Sequence, residues 1–192
     1  GNKEQKREIS RLEEEVDMLH SSIKLYLAQL QQSELSEEDS RRWAEIIDTA
    51  FNLQQSSTII HRMTSELVKK SIDNRRSFSN EGYKELHSLL ERLQTNLNLG
   101  MSVFVSADID NAKRLRRAKH RFRLINQRFA YAHVEGLHKQ NMQSLDTSNL
   151  HVSLLGDMKR LNSLFCAVAY HALEGVAESR KEQLSLENEK NT

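Results

Sequence analysis

The chain has 192 residues, no proline, six glycines and one cysteine, and its 28 basic and 27 acidic side chains leave a formal net charge of +1. That length suits one domain or an elongated bundle with a continuous core. The missing proline and the lack of β-branched alternation exclude a sheet-rich fold, and the balanced charge carries no global signature of nucleic-acid binding. No apolar run approaches the ~20 residues of a membrane span, and no signal peptide precedes the first helix. A single cysteine permits no intramolecular disulfide and points to a reducing compartment. The chain opens on Gly1 rather than Met, which points to a longer polypeptide.

The pattern predicts an all-α antiparallel bundle of about five long helices over residues 1–175. Residues 176–192 form a polar tail that frays. In helix 1, Ile9, Leu12, Val16, Leu19, Ile23, Tyr26 and Leu30 recur three and four apart, a seam of coiled-coil type. Glu13, Glu14, Glu15 and Asp17 make its first half acidic. Ser33 to Ser36 is a short connection, and Ser36 with Asp39 reads as the cap of helix 2. Helix 2 runs from about Glu37 to Arg75 with Trp43, Ile46, Ala50, Leu53, Ser57, Ile60, Thr64 and Leu67 on one face. Its middle is uncharged between Phe51 and Ile60, so two sides of it are expected to be covered.

Ser79 or Asn80 starts helix 3, whose seam is Tyr83, Leu86, Leu90, Leu93, Leu97 and Phe104, with Gly100 in one slot. A turn at Ser106 to Asp110 precedes helix 4, with Leu115, Ala118, Phe122, Ile125, Phe129 and Ala132 facing inward. This helix carries Lys113, Arg114, Arg116, Arg117, Lys119, Arg121, Arg123 and Arg128 with no acidic residue between Asn111 and Val134. Two partners suit such a face: the acidic half of helix 1, or an anionic lipid or phosphate-bearing ligand. Nucleic acid is not expected, because no aromatic interleaving accompanies the charge. Helix 4 is expected to end near Leu145, with a turn over Asp146 to Asn149. Helix 5 then continues to about Glu174 on a stripe of Leu154, Met158, Leu161, Phe165, Val168 and Ala172, with Asp157 at its edge. Cys166 lies on this apolar helix and is not expected to act as a nucleophile.

Catalytic constellations are absent from the sequence: there is no Gly-rich phosphate loop, nucleophile elbow, Cys pair or HExxH. Glu135 and His138 have the Glu-x-x-His spacing of ferritin-like metal sites, but a dinuclear centre needs a second such pair, and Glu85 with His87 does not supply it. The chain is therefore expected not to be an enzyme.

Asn149 to Ala172, with Leu150, His151 and the run Asp157-Met158-Lys159-Arg160-Leu161-Asn162-Ser163, resembles the closing helix of PhoU-like domains. More narrowly, it is similar to the PhoU-like cytoplasmic domain of bacterial Na/Pi cotransporter family proteins. Asp48 to Leu53 is a weaker echo of the same family's motif in helix 2. The resemblance implies a regulatory or interaction domain of a sodium-dependent phosphate transporter, contributing to phosphate uptake and homeostasis without catalysis, on the cytoplasmic side of the bacterial inner membrane. Its partners would be the membrane-embedded portion upstream in the same polypeptide, anionic lipid and a second copy of the chain. A free-standing PhoU-like regulator of phosphate signalling and a coiled-coil scaffold unrelated to phosphate are the alternatives.

In that family paired acidic residues four apart hold metal, a role the resemblance carries to Asp48 and Asp157. Ala44 stands where the first pair needs its leading Glu, and Lys159 and Ser163 stand where the second needs Glu and Asp. The expectation is thus no stoichiometric iron, zinc or nickel, and at most a weak, mostly hydrated divalent cation such as Mg²⁺ near Asp48 or Asp157, completed by Asn52 or Asn162. Were transition metal found, the ligands to consider first would be His133, Glu135, His138 and His151.

Overall fold

A computed structural model of the chain describes residues 2–30, 35–74, 78–137 and 145–175. Five helices account for nearly all of them: α1 (Asn2–Gln29), α2 (Glu37–Asn74), α3 (Asn80–Ser106), α4 (Ile109–Leu137) and α5 (Leu145–Phe165). No strand occurs among the described residues, so the all-α expectation holds. The 176–192 tail and His138 lie outside the described residues.

Local chemistry sets several of the helix ends. Ser36 Oγ accepts from Asp39 N at 3.1 Å and opens α2. Ser79 Oγ accepts from Gly82 N at 3.0 Å and opens α3. At the far end of α3, Ala107 adopts a left-handed conformation (φ 51°) and donates its N–H to Val103 O at 2.8 Å. Asp108 Oδ1 then accepts from Asn111 N at 2.6 Å and starts α4. These two caps make the α3–α4 turn tight.

Cross-helix contacts fix the register. Leu27 O accepts from Trp43 Nε1, Asp17 Oδ1 from Gln54 Nε2, and Ser10 and Glu13 both meet His61, so α1 runs antiparallel to α2. Glu85 meets His133, which makes α3 antiparallel to α4. Asn126 Nδ2 donates to Leu155 O at 2.7 Å, and α4 is antiparallel to α5. Gln55 and Arg62 of α2 reach Arg160 and Asp157 of α5 in the same reversed sense. α5 therefore lies among α2, α3 and α4, while α1 packs on α2. The two-sided covering expected for helix 2 is observed.

The core runs along α5 in two clusters. Leu89, Phe122, Leu154 and Leu155 centre one part, and Val103, Leu115 and Cys166 the other. Between them Asn96 Nδ2 donates to Asn162 Oδ1 at 2.7 Å, so two buried amides satisfy each other.

Three expectations need correction. In α3 the buried positions are Gly82, Leu86, Leu89, Leu93, Asn96, Gly100 and Val103, whereas Tyr83 and Leu90 face solvent. In α1 the face against α2 carries Glu13, His20 and Leu27, and Leu12, Leu19 and Tyr26 are exposed. Both seams keep their seven-residue partners and exchange the alternate position; of the polar residues this brings inward, Asn96 meets Asn162 and Glu13 meets His61. Finally, Leu145 to Asn149 begin α5 rather than ending helix 4, and α5 does not run unbroken to Glu174. It stops at Phe165, turns over 166–167 and resumes as helix over 168–175. Asp, Thr and Ser suit a first helical turn as well as a loop.

The break in α5 has a steric counterpart. A Cβ built on Gly100 would lie 2.6 Å from the carbonyl oxygen of Phe165, closer than atoms pack, so α3 can approach the end of α5 only with glycine there. Gly100→Ala is expected to destabilise the fold by about 1–3 kcal/mol despite its better helix propensity. Ala107→Gly relieves the left-handed strain and is expected to stabilise it by roughly 0.5–1 kcal/mol. Urea unfolding followed by circular dichroism measures both; equal midpoints for the three proteins would contradict this account of the two ends of α3.

Candidate functional site

Helix periodicity places Arg116, Lys119, His120 and Arg123 on one face of α4, since they are three, four and seven residues apart. α5 runs alongside and contributes Lys159, Asn162 and Ser163, and Tyr170 follows from the helix beyond the break. Together they line a groove of about 220 Å³. Lys119 is held in place by the Tyr170 ring, its Nζ 4.6 Å from the centroid. Arg123 Nη2 lies 3.5 Å from His120 Nδ1. Arg116 and Lys159 make no ion pair among the described residues.

Of the basic residues expected to form a partner face, the groove gathers Arg116, Lys119 and Arg123. Arg117 and Arg121 are exposed outside it, Lys113 pairs with Asp110 at 3.4 Å, and Arg114 donates to Asn111 Oδ1 at 3.2 Å. Sequence reading missed His120 and the contribution of Lys159, because neither the groove wall nor its register is visible in helix 4 alone. The alternative that the acidic half of helix 1 neutralises helix 4 is overturned. α1 packs on α2, where Glu13 meets His61 at 2.8 Å, Asp17 meets Gln54 at 3.0 Å, and Glu15 pairs with Arg11 within its own helix.

The groove can bind a group with several anionic oxygens. Two guanidinium forks and two ammonium groups line it, while the Ser163 hydroxyl donates to the Lys159 carbonyl of its own helix at 3.2 Å. No helix among the described residues is long and apolar enough to cross a membrane.

Asp48 and Asp157 are not brought together. Asp48 pairs with His171 at 3.3 Å, and Asp157 with Arg62. The first joins α2 to the helix beyond the break and the second joins α2 to α5, and Asp48 and Arg62 are 14 residues apart on α2, about 21 Å along its axis. Asn162, a candidate oxygen donor, is occupied by Asn96 and by the Cys166 thiol, whose Sγ lies 3.7 Å from Oδ1. Glu135 is exposed.

A different cluster forms at the end of the core, from Glu85 on α3, His133 on α4 and His151 on α5. Oε2 of Glu85 lies 3.1 Å from His133 Nε2 and 3.2 Å from His151 Nε2. The imidazole rings overlap, with centroids 3.8 Å apart and planes inclined by 33°. His151 is 1% exposed, and its Nε2 makes no hydrogen bond, because the short approach to Glu85 is poorly directed. Such an orphaned buried nitrogen costs about 1–3 kcal/mol. Burial, with His133 adding to it, pushes the His151 imidazole down to about 4, so the ring is neutral at pH 7. Glu85, 48 and 66 residues from its two partners, carries no sequence signal that links it to them.

With this geometry in view, the relatives can be placed. The chain is 55% identical over 174 residues to a protein of Escherichia coli K12 named "Putative inorganic phosphate export protein YjbB". Proteins of the same name from Salmonella typhimurium LT2 and Escherichia coli O157:H7 are 56% and 55% identical over the same length. The match covers 91% of this chain and 32% of each relative, so the chain spans about a third of the length of these curated relatives. No family model and no solved structure matches it.

Cys166 takes no part in either cluster's chemistry. It is fully buried, and burial pushes its thiol up to about 12 against a smaller opposing effect of Lys119. A thiol reagent at pH 7.5 is expected to label it only after unfolding, because the thiolate is the nucleophile. Rapid labelling of the native protein, read by mass spectrometry, would show that the α5 break opens on its own.

Proposed function

We propose that this chain is a non-catalytic regulatory or interaction domain of a protein that moves inorganic phosphate. The relatives carry the proposal: their printed name concerns phosphate export, and 91% of this chain aligns with them. The groove of Arg116, Lys119, Arg123 and Lys159 supports it, since clustered guanidinium and ammonium groups suit a phosphate group, whether free or on a lipid headgroup. The finer reading, in which a PhoU-like domain is tethered on the cytoplasmic side of the inner membrane to a sodium-dependent transporter portion, rests on the resemblance of Asp157 to Ser163. The relatives' length favours tethering over a free-standing regulator, because two thirds of each lies outside the match. Their name speaks of export where the resemblance implies uptake, and the proposal covers movement in either sense.

Two measurements test this reading. In a full-length relative, deletion of the region matching residues 2–175 is expected to change the rate of phosphate movement in cells loaded with radioactive phosphate, while the membrane portion still reaches the membrane. An unchanged rate would overturn a regulatory role. For the groove, the triple variant Arg116→Gln, Lys119→Gln, Arg123→Gln is expected to lose about 1 kcal/mol per charge of binding to vesicles containing phosphatidylglycerol. Binding to inorganic phosphate in solution without vesicles would assign the groove to the free ion. No difference between variant and parent in either assay would remove the groove from the proposal.

A further inference from the structure

Three helices converge on one oxygen. Glu85 Oε2 is flanked by His133 Nε2 at 3.1 Å and His151 Nε2 at 3.2 Å, and the three donor atoms lie within 4.8 Å of one another. Around a tetrahedral ion with ligand bonds near 2.1 Å, neighbouring donors stand about 3.4 Å apart. The two contacts to the carboxylate are close to that edge length. Among the described residues this is the only group of three or more His, Cys, Asp or Glu side chains with donor atoms so close.

The donor that lacks a partner is also the most confined. His151 Nε2 is buried without a hydrogen bond and lies 3.2 Å from Glu85 Oε2. The ring cannot move away easily. A Cβ on Gly82 would lie 3.1 Å from its Nδ1, so glycine at that position makes the room the imidazole occupies. Phe78 meets the ring edge-on at 5.8 Å. Glu85 and His133 are each about one-fifth exposed, at 21% and 22%, which gives an ion and one water a way in.

We propose that Glu85, His133 and His151 bind a single divalent transition-metal ion, with zinc the best match and water or an exogenous ligand in the fourth position. Two imidazoles and one carboxylate suit zinc and its borderline neighbours better than Mg²⁺ or Ca²⁺, which favour oxygen donors in larger number. Bound there, the ion would tie α3, α4 and α5 together at the end of the core remote from Gly100. The site replaces the expectation of no stoichiometric zinc, which was weighed on Asp48 and Asp157, and it does not depend on a role in phosphate movement.

The test uses untagged full chain stripped with chelator and titrated with zinc chloride by calorimetry. One zinc per chain is expected, with a rise in the thermal midpoint that chelator reverses. Substituting Co²⁺ is expected to give the intense visible absorption of a four-coordinate ion with nitrogen and oxygen ligands. Glu85→Gln, which keeps the shape and an acceptor for His133, and His133→Ala are each expected to weaken zinc binding by about 100-fold or more. His171→Ala, at the exposed pair with Asp48, is expected to leave it unchanged. Absence of stoichiometric binding, or binding that survives both Glu85→Gln and His133→Ala, would overturn the proposal. So would the weak absorption of six-coordinate cobalt in the unmodified chain, a readout that holds even if a variant fails to fold.

Discussion

Packing against three helices at once obliges α5 to be apolar or internally satisfied over most of its circumference. Leu150, Leu154, Leu155, Met158 and Leu161 are buried on several sides of one helix, a width that a simple two-helix seam does not need. The polar residues on those sides are each answered by a named partner: Asn162 by Asn96, and the Leu155 carbonyl by Asn126. His151 is the exception. Because α5 cannot rotate without exposing apolar surface on one side and burying Lys159 or Arg160 on another, every neighbouring helix takes its register from it.

Much of this was readable from residue order alone. Helix number, the capping serines Ser36 and Ser79, the covered middle of α2 and the central place of α5 all follow from periodicity and end signals. Phase within a seam was harder. In α3 the choice between Leu90 and Leu89, or Leu97 and Asn96, turns on one residue of offset, and apolarity favours the wrong member of the second pair. Asn96 is buried because Asn162 is there to meet it, 66 residues later. The same holds for Glu13 and His61 in α1 and α2. A polar residue's fate depends on a partner that local pattern does not reveal, and that is also why Glu85 gave no sign of its two histidines. The break after Phe165 was hidden for a related reason: neither Cys166 nor Ala167 is a helix breaker, and the close approach that accompanies it, at Gly100, lies across the interface.

A chain with nearly balanced charge still builds a local field. The acids of α1 are taken up by His61, Gln54 and Arg11, while among the described residues the acidic side chain that pairs with an α4 lysine or arginine is Asp110, at the helix's own N-terminus. Net charge is silent about such segregation, and the helix pairing decides it. The groove's definition comes from α5 as much as from α4, through Lys159, Ser163 and the ring of Tyr170.

The connectivity of the helices has a consequence for how the molecule assembles and opens. α3 with α4 and α4 with α5 are neighbours in sequence, and α3 reaches α5 across 66 residues at Asn96 with Asn162 and at Glu85 with His151. α2 reaches α5 only across separations of 95 and 105 residues, at Arg62 with Asp157 and Arg160 with Gln55. Closing a chain loop of that size is entropically costlier than pairing adjacent helices. The α1–α2 hairpin, zipped by Trp43, Gln54 and His61, is thus a separable unit that joins the other helices through these long-range contacts. Its joint to α5 mixes ion pairs and amides with apolar contacts from Ile59 and Met63. Among the large movements open to this architecture, a hinge of that hairpin away from α5 leaves the most core intact.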